Sequence, residues 1–345
     1  MHAFLAAVLA AGFAFAEKPA TIAEYLAGSN AERREWFLDA DVRKKLAKSF
    51  SKGERFPRWV DLKGVPNARD LGGLVGLDGR AIRKGVAIRC AGINGNATWQ
   101  MIDKALYEKY RQEGGLDALF EKSLDTRLKR IDRKRFDDKV ADWLKYGMEG
   151  NVPGVYVAGT GKPGGSRLTD AERDEILGKY KFKTDLDLRS PREVLGMTGS
   201  PLGPTVRWIN ISAAGYGDMA SKGGKASFAE CFKVFLDEKN YPIVFHCIGG
   251  ADRTGSLAAI LEGCCGVSDE DIYRDWELTK IWSGANPKKW NHAKLFDKFV
   301  GAMGKYEGKT LSERIVNYVL DCGFTAEDVE KLRSILLERP RPEGK

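Results

Sequence analysis

The polar and apolar positions between residues 168 and 266 alternate between the period of a strand and that of a helix. Three short segments are typical of strands, "TDLDLR", "VRWINIS" and "YPIVFHC". The segment "SFAECFKVFLDE" has helical spacing, which predicts a helix capped by Ser227 with Glu230. Two more helices are predicted, one opening on the capping box of Thr169 and Glu172 and one ending at Gly266. This alternation predicts an α/β fold with a mainly parallel central sheet and helices on both faces.

The first residues form an apolar run, Met1 to Ala16, that ends before Glu17. Ala14-Phe15-Ala16 has the small-x-small form of a signal-peptidase site. We therefore expect residues 1–16 to be a signal peptide and the protein to be exported, periplasmic or secreted, after cleavage near Ala16. The alternative is a buried first helix. The run is shorter than the roughly 20 residues that a bilayer requires, so stable membrane insertion is not expected.

The rest of the chain divides into an arm and one domain. Residues 17–57 are charged and helical in character, and the domain is expected over residues 58–345. A helical insertion interrupts it at about residues 96–166, where the stretch from Arg127 to Arg135 holds six basic residues in nine. That stretch either attracts an anionic substrate or forms a solvated helix face.

The composition is that of a globular protein, with 43% hydrophobic and 30% charged residues. The formal net charge of +8 favours anionic partners in general. Charge alone does not distinguish nucleic acid from phosphorylated small molecules or anionic membranes. The six cysteines show no CxxC spacing and there are only three histidines, so neither a metal site nor a cofactor is expected. The sequence does not indicate an oligomeric state.

The segment "HCIGGADRTGS", residues 246–256, joins an apolar strand to a helix. Ligands of open α/β sheets bind beyond the carboxyl ends of such strands. The backbone N–H groups of this turn and the helix N-terminus form a donor nest suited to a phosphate dianion. Gly249 and Gly250 permit the tight curvature, and the planar fork of Arg253 can bind two phosphate oxygens. The expected phosphate-binding residues are Ile248, Gly249, Gly250, Ala251, Asp252 and Arg253.

Cys247 is the candidate nucleophile. The positive surroundings of the turn favour its thiolate, which can attack phosphorus and form a phosphocysteine intermediate. His246 is expected to orient the loop through hydrogen bonds, and Thr254 to donate its hydroxyl hydrogen to the sulfur. Ordinary packing is the alternative for both residues.

Two aspartates are candidates for the proton transfers that the leaving group and the attacking water require. Asp252 lies within the turn, where it could instead hold Arg253 in place. Asp218 lies in the glycine-rich segment "AAGYGDMASKGGK", 29 residues before Cys247, and could act from a lid or simply face water. Asp252 is preferred.

Cys-x5-Arg-Thr after a strand resembles the protein tyrosine phosphatase loop. "HCIGGADRTG" is more particularly similar to the loop HC-x-x-G-K-D-R-T-G of the atypical bacterial tyrosine/serine phosphatases, a family that also acts on phosphoinositides. Three other stretches match that family in the same order. They are "NARDLGG" with "DGRAIRKGVAIRCAG", "DLDLRSPREV", and the tail "LSERIVNYVLDCGFTAEDVEKLRSILL".

The resemblance spans about residues 60–95 and 168–338. It implies a phosphatase fold that needs no metal, with Cys247 as nucleophile, Arg253 as phosphate binder and Asp252 as in-loop acid and base. It further suggests that Arg69 and Asp70 brace the site from behind, with a purely structural turn as an equal alternative.

Two departures from the family pattern affect the expected substrate. Ala251 replaces the lysine that usually precedes the Asp-Arg pair, which removes a cation suited to a highly phosphorylated inositol ring. The insertion has no counterpart in the compact relatives and can reshape the entrance.

Phosphotyrosine in proteins is therefore the preferred substrate. The expected partner is a phosphorylated protein or a small-molecule phosphate ester, and no nucleic acid is expected. The alternative is an inositol phosphate or phosphoinositide, with Asp218 as the acid and the basic insertion supplying cations. Sulfur transfer of the rhodanese type and non-catalytic phosphate binding are less favoured. The first has no use for Asp252 or Thr254, and the second has none for a nucleophile.

Overall fold

A computed structural model describes residues 18–93, 99–101, 104–123, 133–145, 156–158, 168–191, 193–194, 197, 199–282 and 292–339. The predicted signal peptide and most of the basic stretch lie outside these residues. Among the described residues, no helix is both long enough and apolar enough to cross a membrane.

Seven strands lie in the described residues. They are β1 (Arg69–Asp70), β2 (Ala87–Cys90), β3 (Trp99–Met101), β4 (Tyr156–Ala158), β5 (Thr184–Asp187), β6 (Arg207–Asn210) and β7 (Ile243–His246). The helices are α1 (Ile22–Ala27), α2 (Asn30–Leu38), α3 (Ala40–Ser51), α4 (Lys104–Ser123), α5 (Arg133–Lys145), α6 (Asp170–Tyr180), α7 (Lys222–Phe235), α8 (Arg253–Cys264), α9 (Asp269–Trp282), α10 (His292–Met303), α11 (Leu311–Asp321) and α12 (Ala326–Leu336). Short 3₁₀ turns span Leu77–Gly79, Tyr216–Ala220 and Glu238–Asn240.

The central sheet has five strands in the order β1-β2-β7-β5-β6. Only β1 pairs antiparallel; β2, β7, β5 and β6 are parallel to one another. His246, the last residue of β7, lies between Cys90 of β2 and Asp187 of β5. The expected mainly parallel sheet is therefore confirmed, and the segment that follows β7 leaves the sheet at its centre.

Alternate side chains of the strands enter two apolar clusters on opposite faces of the sheet. Phe245 and Leu186 pack with Leu257 and Ile260 of α8 on one face. Val244 and Ile88 pack with Ile176 of α6 on the other face. Because alternate side chains point to opposite faces, each face of the sheet is apolar and is covered by helices, as the sequence predicts.

Helix α7 begins earlier than the sequence pattern predicts. Its cap is Ser221, whose side chain accepts a hydrogen bond from the Gly224 N–H, whereas Ser227 lies inside the helix and donates its hydroxyl hydrogen to Gly224 O. The pattern missed this first turn because Gly223 and Gly224 are typical of loops. Gly224 is required there, since a Cβ would lie 2.0 Å from the carbonyl oxygen of Asp218.

The region expected to be a helical insertion contains strands as well as helices. Its described residues form α4 and α5, together with the antiparallel pair of β3 and β4. The two strands lie near the beginning and the end of the insertion and bring those ends together.

Candidate active site

The loop from Cys247 to Asp252 connects β7 to α8 at the carboxyl edge of the parallel strands. Cys247 is only 2% exposed, whereas Ile248 next to it is 38% exposed. The thiol therefore lies at the bottom of the loop, and its neighbour lies at the surface.

Four consecutive carbonyl oxygens of the loop accept hydrogen bonds from residues on the protein-interior side of the loop. The pairs are Cys247 O with His246 Nδ1 (3.2 Å), Ile248 O with Gly92 N (3.0 Å), Gly249 O with Asn67 Nδ2 (3.0 Å), and Gly250 O with Arg89 Nη2 (2.8 Å). In a trans peptide the N–H points opposite to the C=O. The N–H groups of residues 248–251 are thus directed away from these partners, and none donates a hydrogen bond to any described residue. Four free donors beside a cysteine have the arrangement of a backbone nest, which is suited to an anion.

The loop also passes very close to strand β2. Gly250 has φ of +66°, and a Cβ there would lie 2.5 Å from Cys90 O and 2.7 Å from the Cys90 carbonyl carbon. Both conditions require glycine. At Gly249 a Cβ would meet nothing within 4 Å, so this second glycine is not demanded by packing.

Arg253, the first residue of α8, is held by a carboxylate that the sequence pattern did not indicate. Its Nη1 donates to Glu193 Oε2 at 2.6 Å and its Nη2 to Glu193 Oε1 at 3.0 Å. Glu193 also accepts a hydrogen bond from Ser190 N at 2.6 Å. Although burial opposes ionisation, these bonds lower the pKa of Glu193. Glu193 binds the end of the guanidinium, so the Nε–H edge stays free for an oxyanion.

His246 lies between two carboxylates of the neighbouring strand β5. Its Nε2 is 2.9 Å from Asp185 Oδ1 and its Nδ1 is 3.9 Å from Asp187 Oδ1. Ser200 Oγ in turn donates to Asp185 Oδ2 at 2.6 Å. Burial disfavours the charged imidazole, but Asp187 and Asp185 outweigh it and raise the pKa of His246. His246 and its two carboxylate neighbours therefore form a buried polar cluster directly before Cys247 in the chain.

The hydroxyl of Thr254 does not make its expected hydrogen bond to sulfur. Thr254 is fully buried, and its Oγ1 has no hydrogen-bond partner among the described residues.

Asp252 and Asp218 lie in segments that touch. Gly215 packs on the peptide between Asp252 and Arg253, since a Cβ on Gly215 would lie 3.1 Å from Arg253 N. Asp252 Oδ1 is buried without a hydrogen-bond partner in the described part of the chain, whereas Asp218 is exposed. Glu193, rather than Asp252, binds Arg253.

Arg69 and Asp70 have different surroundings. Asp70 accepts hydrogen bonds from Gly72 N (2.8 Å) and Gly85 N (2.6 Å), and burial raises the pKa of its carboxyl. Asp70 therefore stabilises the turn between β1 and β2. Arg69 is fully buried and donates to Asn67 Oδ1 at 2.5 Å, and Asn67 binds the loop.

Asn67, Arg89 and Glu193 are the site residues that sequence reasoning missed. All three lie inside the stretches that resemble the phosphatase family, but nothing in their local pattern indicates contact with the loop. Asn67 has φ of +57°, and Arg89 is a buried arginine in a strand that is otherwise apolar. Of the three, only Arg89 gave a signal in the sequence, because an arginine within an apolar strand needs a buried polar partner.

Comparison with known proteins agrees with the family resemblance found in the sequence. A family model described as the tyrosine phosphatase family matches residues 60–106 and 164–338, about two thirds of the chain. A curated tyrosine-protein phosphatase of Nostoc commune is 26% identical over 154 residues, which cover 35% of this chain and 48% of that protein. The chain thus spans about half the length of this relative.

Proposed function

The chain belongs to the tyrosine phosphatase family, and from that premise we propose that it hydrolyses phosphate monoesters through a phosphocysteine intermediate at Cys247. The observation that carries this proposal is a set of four unpaired N–H groups, at residues 248–251, next to Cys247. Each points away from the carbonyl oxygen of its own peptide, which is held by a hydrogen bond on the other side of the loop. Together with Arg253 they can neutralise the three non-bridging oxygens of a phosphoryl group.

The reaction proceeds in two displacements. In the first, the Cys247 thiolate attacks phosphorus, an S–P bond forms, the ester P–O bond breaks, and Asp252 donates a proton to the leaving oxygen. In the second, Asp252 removes a proton from water, the water oxygen attacks phosphorus, and the S–P bond breaks to release inorganic phosphate. The thiolate and the protonated carboxyl are then restored.

Asp252 is proposed as the acid because it lies within the loop, and its Oδ1 is buried without a hydrogen bond of standard geometry to a described residue, with the Tyr216 hydroxyl as its polar neighbour. Asp252→Asn should lower kcat on phenyl phosphate much more than on p-nitrophenyl phosphate, whose leaving group needs no proton. Asp218→Asn should affect both substrates alike and by less than about threefold. If the leaving-group dependence appears in Asp218→Asn instead, the acid is Asp218.

The preferred substrate class is a phosphotyrosine in a protein or peptide. Apart from Arg253 the loop carries no cation, because Ala251 stands next to Asp252, and Ile248 offers an exposed apolar side chain at the surface of the loop. An aryl phosphate can pack on such a side chain, whereas a polyphosphorylated ring needs several cations. A kcat/KM for phosphotyrosine peptides about ten times or more that for inositol hexakisphosphate would support the protein substrate, and the reverse order would favour the inositol phosphate.

We also propose that the protein acts after export. The support is the apolar run of residues 1–16 and its small-x-small end before Glu17. Intact mass of the protein recovered outside the cytoplasm of a secreting host should correspond to a chain that begins at or near Glu17. Retention of residues 1–16 in that fraction would contradict the proposal.

A further inference from the structure

Helix α9 carries a buried carboxylate that contacts three arginines. Asp275 Oδ2 accepts a hydrogen bond from Arg89 Nη1 at 2.6 Å, and Asp275 Oδ1 accepts one from Arg69 Nε at 3.0 Å. Arg58 Nη2 also binds Asp275 Oδ1. Asp275, Arg69 and Arg89 are at most 1% exposed. Asp275 therefore lies at the centre of a buried charge cluster.

Two of these arginines connect Asp275 to the phosphate loop. Arg89 reaches Asp275 with Nη1 and Gly250 O with Nη2, so that one planar guanidinium spans the carboxylate and the loop. Arg69 reaches Asp275 with Nε and Asn67 Oδ1 with Nη1, and Asn67 Nδ2 binds Gly249 O. Two consecutive loop carbonyls are thus connected to the same carboxylate.

Asp275 is the ionised counter-charge of the cluster. Burial opposes its ionisation, but Arg69, Arg58 and Arg89 outweigh this and lower the pKa of Asp275. The other acid nearby, Glu262, is fully buried, and burial together with Asp275 raises the pKa of its carboxyl well above the ordinary value. Three guanidinium groups therefore converge on one carboxylate, and their positions depend on it.

We propose that Asp275 is the positioning residue of the phosphate loop: through Arg89 and the Arg69–Asn67 pair it fixes the carbonyls of Gly249 and Gly250, and so aims the N–H groups of Gly250 and Ala251 at the oxyanion. This inference rests on the proposed function of the loop. Asp275 itself lies behind the loop and touches no substrate.

The same helix offers a matched control. Glu277, two residues from Asp275, is also buried and accepts a hydrogen bond from Arg33 Nε at 2.6 Å. That ion pair joins α9 to the N-terminal helices and has no contact with the loop. Asp275→Asn and Glu277→Gln each remove one buried negative charge from α9, but only the first removes support from the loop.

The experiment compares these two variants with the wild type at a temperature where circular dichroism shows all three folded. Tungstate affinity is measured by calorimetry, and kcat and KM are measured separately on p-nitrophenyl phosphate. In Asp275→Asn we expect tungstate affinity to fall about tenfold and kcat/KM to fall about 10- to 100-fold, because a small displacement of donors costs that much. Glu277→Gln should keep both within about twofold.

The direction of the change in tungstate affinity distinguishes a positioning role of Asp275 from a purely electrostatic one. Removal of a negative charge beside the loop makes the site more positive, which by itself would tighten tungstate binding. Tighter or unchanged binding in folded Asp275→Asn would overturn the proposal. If this variant does not fold, Asn67→Ala and Arg89→Lys replace it, since each breaks one connection while the carboxylate stays. Unchanged affinity in both would then overturn it.

Tungstate binding also separates this inference from the proposed activity. A wild type that binds tungstate but hydrolyses no phosphate ester would refute the phosphatase function, while the loss of binding in Asp275→Asn would still support the positioning role. A wild type that hydrolyses esters, with variants that bind and turn over normally, would refute only the positioning role.

Discussion

At the scale of single residues, the loop depends on a hydrogen in place of a side chain at Gly250. Its φ is positive, and a Cβ added there would lie only 2.5 Å from Cys90 O, so alanine does not fit. We expect Gly250→Ala to displace the loop, to lower kcat/KM about 100-fold and to destabilise the fold by about 1–3 kcal/mol. Steady-state kinetics and urea unfolding measure the two effects.

Gly249→Ala is the control for that substitution. It adds the same methyl group to the neighbouring residue, where nothing lies within 4 Å. Its loss in kcat/KM should be about ten times smaller than that of Gly250→Ala, or smaller still. Equal losses would show that general loop flexibility matters, and not the close approach to β2.

Glu193 is the second residue whose effect the structure predicts. Glu193→Gln retains the size of the side chain but offers one oxygen to Arg253 instead of two. The guanidinium then loses its fixed orientation, and kcat/KM on p-nitrophenyl phosphate should fall about tenfold, mainly through KM. A change below about twofold would mean that Arg253 is oriented without Glu193.

The residues of the site that were predictable from the sequence share one short segment. Cys247, the glycines and Arg253 lie within seven positions, so their spacing alone indicates a phosphate loop. Asn67, Arg89 and Glu193 lie outside this segment, and each binds a backbone carbonyl or Arg253 at a sequence separation of 60 or more. Such contacts depend on tertiary structure, and a local pattern does not reveal them.

At the scale of elements, the strands were easier to predict than the helix ends. β5, β6 and β7 lie where the sequence predicts strands. The alternation of polar and apolar residues in β5 is typical of a half-buried strand, but all four of its residues are buried. The start of α7 was missed because Gly223 and Gly224 oppose helix formation locally, while Ser221 and the packing on Asp218 decide the outcome. The antiparallel pair of β3 and β4 was missed because each strand has only three residues.

The contact between β7 and β5 predicts a pH dependence of stability. Asp187 and Asp185 raise the pKa of His246 in the folded state above its unfolded value of about 6.5. The stabilisation is therefore fully present below pH of about 6.5 and is lost as the pH rises through the folded pKa. The difference in thermal midpoint between wild type and His246→Asn, measured from about pH 5.5 to about pH 9, should be largest at the acidic end. A difference that grows with pH would contradict this assignment.

At the scale of the whole molecule, the N-terminal helices are joined to the domain by buried charges. The family match begins at residue 60, but Arg33 of α2 is fully buried against Glu277 of α9, and Arg58 binds Asp275. These contacts attach residues 18–57 to α9. The sequence predicted helices in this region, but its charged composition gave no sign of a buried arginine.

Arg33→Ala tests this attachment. The substitution leaves Glu277 buried without its partner, and we expect the free energy of unfolding to fall by about 3–5 kcal/mol. The neighbouring Arg34 is the control, because its ion pair with Asp297 is nearly half exposed and Arg34→Ala should cost no more than about 1 kcal/mol. Urea unfolding of both variants gives the comparison; equal costs would show that the buried pair does not join the two parts.

The central claim is that phosphate is transferred to the sulfur of Cys247. Wild-type protein is mixed with a phosphate ester, quenched in acid within milliseconds, digested and analysed by mass spectrometry. We predict a phosphoryl group on the peptide that contains Cys247, and neither adduct nor turnover in Cys247→Ser. A phosphoryl group on any other residue, or full turnover by Cys247→Ser, would contradict the account.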